Sequence, residues 1–595
     1  MSDFASFKQA FKGDLLTPEH PEYEKSLERW AANSQRRAAI VAFVKDTDDI
    51  SLALKYAREH NLPIAVKGGG HNPAGSSSVE GGLVIDQSKY RNGARIDAEK
   101  KLAYVGGGAL WEAVDKAAIA HGLATTGGTV NHTGVGGLTL GGGYGFLAGE
   151  HGLVIDNLVQ ATVVTADGAV YVTSATENPD LFWAIRGGGS NFGVVAEFVL
   201  KLHPQRRTVF AGLLVYPASA LDQLMPLLVE KYKKGLKAKE TFLQVITRGP
   251  DHSPCVVFVV FWNGSEEEGR AHYKPFLDLN PIVNTCGEIP FERLNSLQND
   301  KVPHGKNYYL KPIYQPGPDI DIAKKISQRI VELTSAHSDV IEEIAFIYEF
   351  WPLDKICSVP QGETAFQRIR RLSGVTHIIF KENTEEHLKT TRMVAKELID
   401  ITHTMKDNLP QDQNTGYANY NSDQVSSLAA NEVMTTSKSE ALFGDNLKRL
   451  ADLKRKYDPE MVFSKWFSIS PAVAATAAQH TEGFCFVTCA IRRALAMAVA
   501  TGALMLRLLA VAKHGNGAHF DRWTAGLASG GSRQLGNAAA SIFTNMGSYD
   551  VRASSPRLQI STTAFTITLS ARRYTQNATP HVDITHGVRG RFVST

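Results

Sequence analysis

Cysteine is scarce in this chain. Five thiols, Cys255, Cys286, Cys357, Cys485 and Cys489, are spread over 595 residues, and none precedes residue 255. With no CxxC pair, the sequence offers neither a disulfide framework nor the thiolate spacing of structural zinc, and no metal is expected. An excess of either charge is also lacking. The formal net charge of +3 gives no reason to expect nucleic acid or anionic lipid as a partner. The absence of GxxxxGK[ST] removes the P-loop nucleotide reading. The opening residues MSDFASFKQAFKGDLL lack the cationic start and apolar run of a secretory signal, so a cytoplasmic protein is expected. Residues 494–512 form an apolar stretch broken by Arg507, which reads as a loosely packed helix and not as a membrane span. Small-molecule chemistry is the class these absences leave.

Glycine, by contrast, is abundant where it bears on function. Residues 67–75 read KGGGHNPAG, and sixty positions later the chain runs GVGGLTLGGGYG over 134–145. Glycine lets a backbone approach a ligand closely and take positive φ, so two such tracts between apolar segments suggest N–H groups wrapped around a phosphate-bearing cofactor. Seven glycines in the second tract's twelve residues are costly in chain entropy unless a ligand repays the ordering. Within it, GYGFLA at 143–148 matches the dinucleotide fingerprint, yet glycines precede it instead of a strand, so the match is accidental.

At 595 residues the chain exceeds a single core. From about Arg36 to Pro204 short strands dominate: 39–44, 62–66, 82–86, 101–108, 159–168, 169–173 and 194–200, with helices over 48–60, opening at Asp48 or Ser51, and 110–121. The block 206–405 alternates apolar strands such as VVFVVFW (256–262) and VIEEIAFIYEF (340–350) with amphipathic helices near 318–335 and 384–404, the pattern of a sheet with helices on one face. YANYNSD begins at 417, a helix is expected around 439–457, and YDPEMVFS follows. Residues 471–595 change character, with eleven Arg, one Lys and four acidic residues, a local net of +8.

The ordered set KGGGH, GGG (106–108), TTGGT (125–129), GVGGLTLGGGYG, GLVIDN (152–157) and LFWAIRGGGSNFGVV (181–195), with YANYN and YDPEMVF later, resembles the berberine-bridge-enzyme-like flavoproteins of the vanillyl-alcohol-oxidase superfamily. Within that family the sequence resembles the bacterial 6-hydroxy-D-nicotine oxidase and its fungal relatives. The resemblance implies an α+β protein. Residues 1–33 would be an N-terminal extension, 34–205 the PCMH-type FAD-binding domain, and 206–405 an inserted substrate domain, an antiparallel sheet covered by helices. Residues 406–470 would return to the FAD domain, leaving 471–595 as an atypical basic tail.

It also implies the cofactor contacts. FAD would be held by Lys67, Gly68, Gly69, Gly70, His71, Asn72 and Gly75 in the first loop, and by Gly128, Gly136, Gly137, Leu140, Gly141, Gly142, Gly143 and Gly145 in the second. Further contacts would come from Gly152, Asp156, Asn157, Asn191, Phe192, Gly193 and Val194, and from Asn419 and Tyr420 of the return segment. His71 stands where the family attaches the flavin covalently; the alternative is a loop histidine bonding a phosphate. The position of the family's second, cysteinyl link is Val130, so a single histidyl link is expected.

Such an enzyme moves a hydride from a C–H beside N or O to the flavin, which dioxygen reoxidises. Tyr417 is the first candidate base, its phenol acidified beside an electron-poor ring, and Glu349 on its apolar strand is the second. Tyr417 is equally well explained as a lid over the ring, and Glu349 as a solvent-facing carboxylate on an edge strand. Val135 or Gly136 is the candidate small residue governing dioxygen access. The expected function is therefore a FAD-linked oxidase of a small amine, alcohol or secondary metabolite. Its rivals are a dehydrogenase or cyclase using another acceptor, and a degenerate flavin binder without activity.

Overall fold

The structure, a computed structural model, describes residues 2–423 and 436–472 together with the strands Arg557–Thr562 and Phe565–Ser570. Those two strands pair antiparallel, Arg557 opposite Ser570. The stretch 494–512 and the remainder of the basic tail lie outside the described residues.

The N-terminal half carries two sheets. In the first, Ile40–Phe43, Leu83–Asp86 and Ile64–Lys67 run parallel, and Asp14–Leu16 adds an antiparallel edge. The region expected to be a mere extension is therefore part of this sheet, because its apolar Leu15 and Leu16 pair with Ala42 and Val41. The crossover helix is Thr47–Glu59. It starts before the expected Asp48, since the Asp46 carboxylate accepts hydrogen bonds from the amides of Asp48 and Asp49, both at 3.1 Å, and caps the helix there. Ile50, Ala53, Leu54 and Ala57 recur at helical spacing and pack on the sheet. The second sheet is antiparallel, in the order Ala94–Asp97, Leu102–Gly106, Val194–Lys201, Leu158–Val164, Val170–Ser174.

Residues 208–380 build an eight-stranded antiparallel sheet. Its strands are apolar on both faces, and period-two alternation sends the two sets of side chains to different cores. Val256, Phe258 and Val260 meet the helices Leu221–Lys234, Ile320–Ala336 and Glu385–His403, whereas Val259 and Phe261 face the opposite way. On that opposite face, cross-strand register aligns Leu243 with Glu349, Glu349 with Ser373, and His377 with Leu310. Glu349 thus lies on an interior strand, Ile341–Phe350, paired on both sides, and not on an edge.

The return segment comes back to the first half. The helix expected over 439–457 is two helices, Thr436–Phe443 and Leu447–Tyr457, because Gly444 takes φ +46° and opens a 3-10 turn between them. Lys454 is wholly buried there. Its ammonium donates to the Asn191 carbonyl at 2.7 Å, to the Phe463 carbonyl at 2.6 Å and to Asp458 at 2.6 Å. The Asn191 amide donates to the carbonyls of Trp466 (3.1 Å) and Phe467 (3.3 Å), so the final strap 463–469 is laced to the glycine-rich turn 187–193.

Candidate active site

Between the glycine loops and the free face of the eight-stranded sheet runs an open-mouthed cavity. One wall is backbone: Gly68, Gly69, Gly70, His71 and Asn72, then Gly128, Gly136, Gly137 and Leu140, with Gly193 beyond. The facing wall is Leu243, Leu310, Ile347, Glu349, Val375 and His377, closed at one end by Asn419 and Tyr420. Gly136 lines the space and Val135 does not; Val130 also borders it.

The two loops are glycine for more than one reason. A Cβ on Gly69 would lie 2.5 Å from the Gly134 Cα, so here the loops press backbone against backbone. A Cβ on Gly137 would meet nothing within 4 Å; it would project into open space. Gly69 therefore builds the cradle and Gly137 keeps it empty.

The other expected contacts lie behind the wall. Lys67 pairs with buried Asp86 at 3.0 Å, and burial lowers its pKa. Gly75 sits in a turn against Ser34. Gly141, Gly142 and Gly145 abut Asn419, Phe366 and the Gly127 carbonyl. Gly152 packs on Asp156, which is ion-paired with Arg368 at 2.5 Å, and Asn157 hydrogen-bonds His203 at 2.7 Å. Phe192 and Val194 are core residues, and Asn191 belongs to the lacing already described. These residues shape the cavity without lining it.

Tyr417 is likewise behind the wall. Its hydroxyl accepts from the Gly143 amide at 3.1 Å and from the Asn419 amide at 2.8 Å. Burial raises its pKa, the reverse of the acidification expected of a base, because desolvation outweighs those two donors. Its geometry is that of a brace under the glycine turn. Glu349 has the opposite character. Its carboxyl, 3% exposed, accepts from the Tyr420 hydroxyl at 2.7 Å and the Ser373 hydroxyl at 2.8 Å. Burial raises its pKa above the ordinary carboxyl value, and the two hydroxyls only partly offset this.

At the other end stands His71, amid residues the sequence did not bring forward. Trp30 stacks on its ring with centroids 4.1 Å apart and planes 6° apart, and Tyr308 stacks on the far side of Trp30 at 3.9 Å. His71 Nε2 is 3.1 Å from His132 Nδ1, and His132 in turn faces His304, with ring centroids 4.7 Å apart. Burial, and then the neighbouring imidazoles, hold His71 well below its usual pKa. His377, buried in the sheet face, is lowered to about 4 by desolvation alone. His132 lies within the NHTG lead-in to the second glycine tract, the one cue in the sequence to its importance. Trp30, Tyr308 and His377 have no local cue.

The walls suit a flavin dinucleotide. Gly137 holds open space at a helix N-terminal turn, where backbone amides receive phosphate. Ser77 Oγ and Gln87 Oε1, both buried in residues bordering the cavity, have no hydrogen-bond partner among the described residues and await a polar ligand. Fold and site together are those of a flavin-binding oxidoreductase.

Comparison with known proteins agrees. Residues 38–174 match the family model described as FAD binding domain, and residues 416–470 match the one described as berberine and berberine like. The FAD-linked oxidoreductase pgmH of Aspergillus terreus is 31% identical over 487 residues, which span 79% of this chain and 96% of that protein. The fold resembles 6-hydroxy-D-nicotine oxidase from Arthrobacter nicotinovorans, with TM-score 0.67 and 24% identity over 78% of this chain and 98% of that one. It also resembles glucooligosaccharide oxidase from Acremonium strictum, whose FAD is 6-S-cysteinyl, 8α-N1-histidyl linked, with TM-score 0.66 and 21% identity over 80% and 100%. The chain belongs to the berberine-bridge-like FAD-linked oxidoreductases. It is an FAD-dependent enzyme, and no helix among its described residues is long and apolar enough to cross a membrane.

Proposed function

We propose that this enzyme is an oxidase of small, largely apolar amines or alcohols, with FAD joined to His71 by a single covalent link and dioxygen as its acceptor. The observation that carries the reading is the buried Glu349–Tyr420 pair, set on an apolar sheet face in the same cavity as the glycine loops and His71. The bound flavin supplies the hydride-accepting chemistry.

The residues do the rest. Loops 68–72 and 136–137 hold the cofactor through main-chain amides. Leu243, Leu310, Ile347 and Val375 exclude water and orient an apolar substrate, and they offer a sugar chain little to hydrogen-bond. Glu349 takes the proton from the substrate heteroatom, while the Tyr420 and Ser373 hydroxyls stabilise the charged carboxylate. A second, cysteinyl link has no thiol available, since Val130 occupies that position and no cysteine precedes Cys255.

The test is flavin fluorescence on a denaturing gel for the wild type and His71→Ala, followed by a peroxide-coupled screen of small amines and alcohols. Fluorescence that stays with the wild-type chain and leaves with the substitution supports the link. Flavin released on denaturation refutes it. Turnover with an artificial acceptor but no peroxide in air would replace the oxidase by a dehydrogenase.

A further inference from the structure

We propose that His132 is the positioning residue for covalent attachment of the flavin: it fixes the tautomer of His71 and takes up the proton that His71 releases, with His304 passing it to solvent. The inference rests on the reading that His71 carries the link.

Attachment needs a ring nitrogen with a free lone pair. A hydrogen bond between two imidazole nitrogens requires one donor and one acceptor, and His71 meets His132 through Nε2 at 3.1 Å. If Nε2–H donates, Nδ1 carries the lone pair and is the nucleophile. If instead His132 donates, His71 keeps its proton on Nδ1 and cannot attack. Which tautomer is present follows from the partner of the far nitrogen, a role usually given to a carboxylate or carbonyl. Here another histidine fills it. Trp30, stacked flat on His71, restrains the ring plane and keeps its edge directed at His132 in the observed geometry.

Both imidazoles are held neutral. Burial and the histidine neighbours lower His71, and burial followed by His304 lowers His132 to about 4. The titratable groups facing His132 are His71, His304 and Glu112; His304 faces Glu28, and Lys116 borders the same outer groove. His304 is exposed, so the three rings run from the cavity to the surface.

In the step itself the Nδ1–C8α bond forms, and one C8α–H bond of the flavin methyl breaks. Its electron pair passes into the isoalloxazine, which is reduced by two electrons and takes up two protons. One comes from the methyl and the other replaces the proton His71 loses through Nε2 to His132. Dioxygen then restores the oxidised ring and becomes hydrogen peroxide.

The experiment follows attachment directly. Full-length protein prepared without flavin is mixed with FAD, and covalent flavin is timed by denaturing-gel fluorescence and intact mass. His132→Ala is expected to bind FAD but attach it about 100-fold more slowly, and added imidazole should recover much of the rate. His132→Asn, which keeps a hydrogen-bond acceptor but no base, should fall between them, and it decides the matter if the alanine variant fails to fold. Attachment at the wild-type rate in a folded His132 variant overturns this inference and leaves the His71 link standing. A wild type that never attaches FAD overturns both.

Discussion

Two hydroxyl groups, from Tyr420 and Ser373, hold the Glu349 carboxyl, and among the described residues no ion pair engages it. A carboxyl so placed keeps its proton to higher pH than an exposed one. As a base it must lose that proton, so kcat/KM is expected to rise with pH through the elevated Glu349 value and level off above it. Glu349→Gln should keep full flavin content, lower kcat by roughly 10²–10⁴-fold and abolish that rising limb; stopped-flow flavin reduction across pH checks both. An unchanged pH profile in the variant would remove Glu349 from proton transfer. At this scale the sequence was legible where chemistry leaves a local mark. His71 follows three glycines, and Glu349 interrupts an apolar strand. Trp30, His132 and Tyr308 gather around His71 from positions 41, 61 and 237 residues away, and no local pattern encodes such a meeting. The fate of Tyr417 was equally hidden: its brace role depends on an amide 274 residues distant.

Among the elements, the return segment depends most on a single polar contact. Lys454 and Asp458 are both fully buried, and the ammonium also satisfies the Asn191 and Phe463 carbonyls. Removing one partner strands the other charge. Lys454→Ala should therefore cost about 3–5 kcal/mol, read as a shift in the urea midpoint at constant slope, whereas Lys454→Met with Asp458→Asn should recover part of it. Equal losses in both variants would show that the carbonyl contacts, not the ion pair, matter. The strands and helices themselves were read closely from periodicity. At two boundaries a single residue moved the element: the Asp46 carboxylate, as a cap, started the Thr47–Glu59 helix early, and the positive φ of Gly444 split the expected 439–457 helix.

For the whole molecule, residues 1–474 form one compact unit, and both family matches fall inside it. A chain ending at Ala474 should therefore fold, bind FAD stoichiometrically and melt at the temperature of the full chain's main transition. Calorimetry and absorbance near 450 nm would check this, and loss of flavin on truncation would make residues 475–595 part of the binding unit.

The stretch around Trp30 crosses from one half of that unit to the other. Its amide donates to the Gly70 carbonyl at 3.1 Å and its indole to the Val302 carbonyl at 2.9 Å, while Asn33 bonds both main-chain groups of Tyr308. During synthesis His71 emerges early, but the ring it leans on is itself backed by residue 308. A nascent chain thus carries the histidine long before it carries the histidine's surroundings, which are complete only once the eight-stranded sheet has been made and folded.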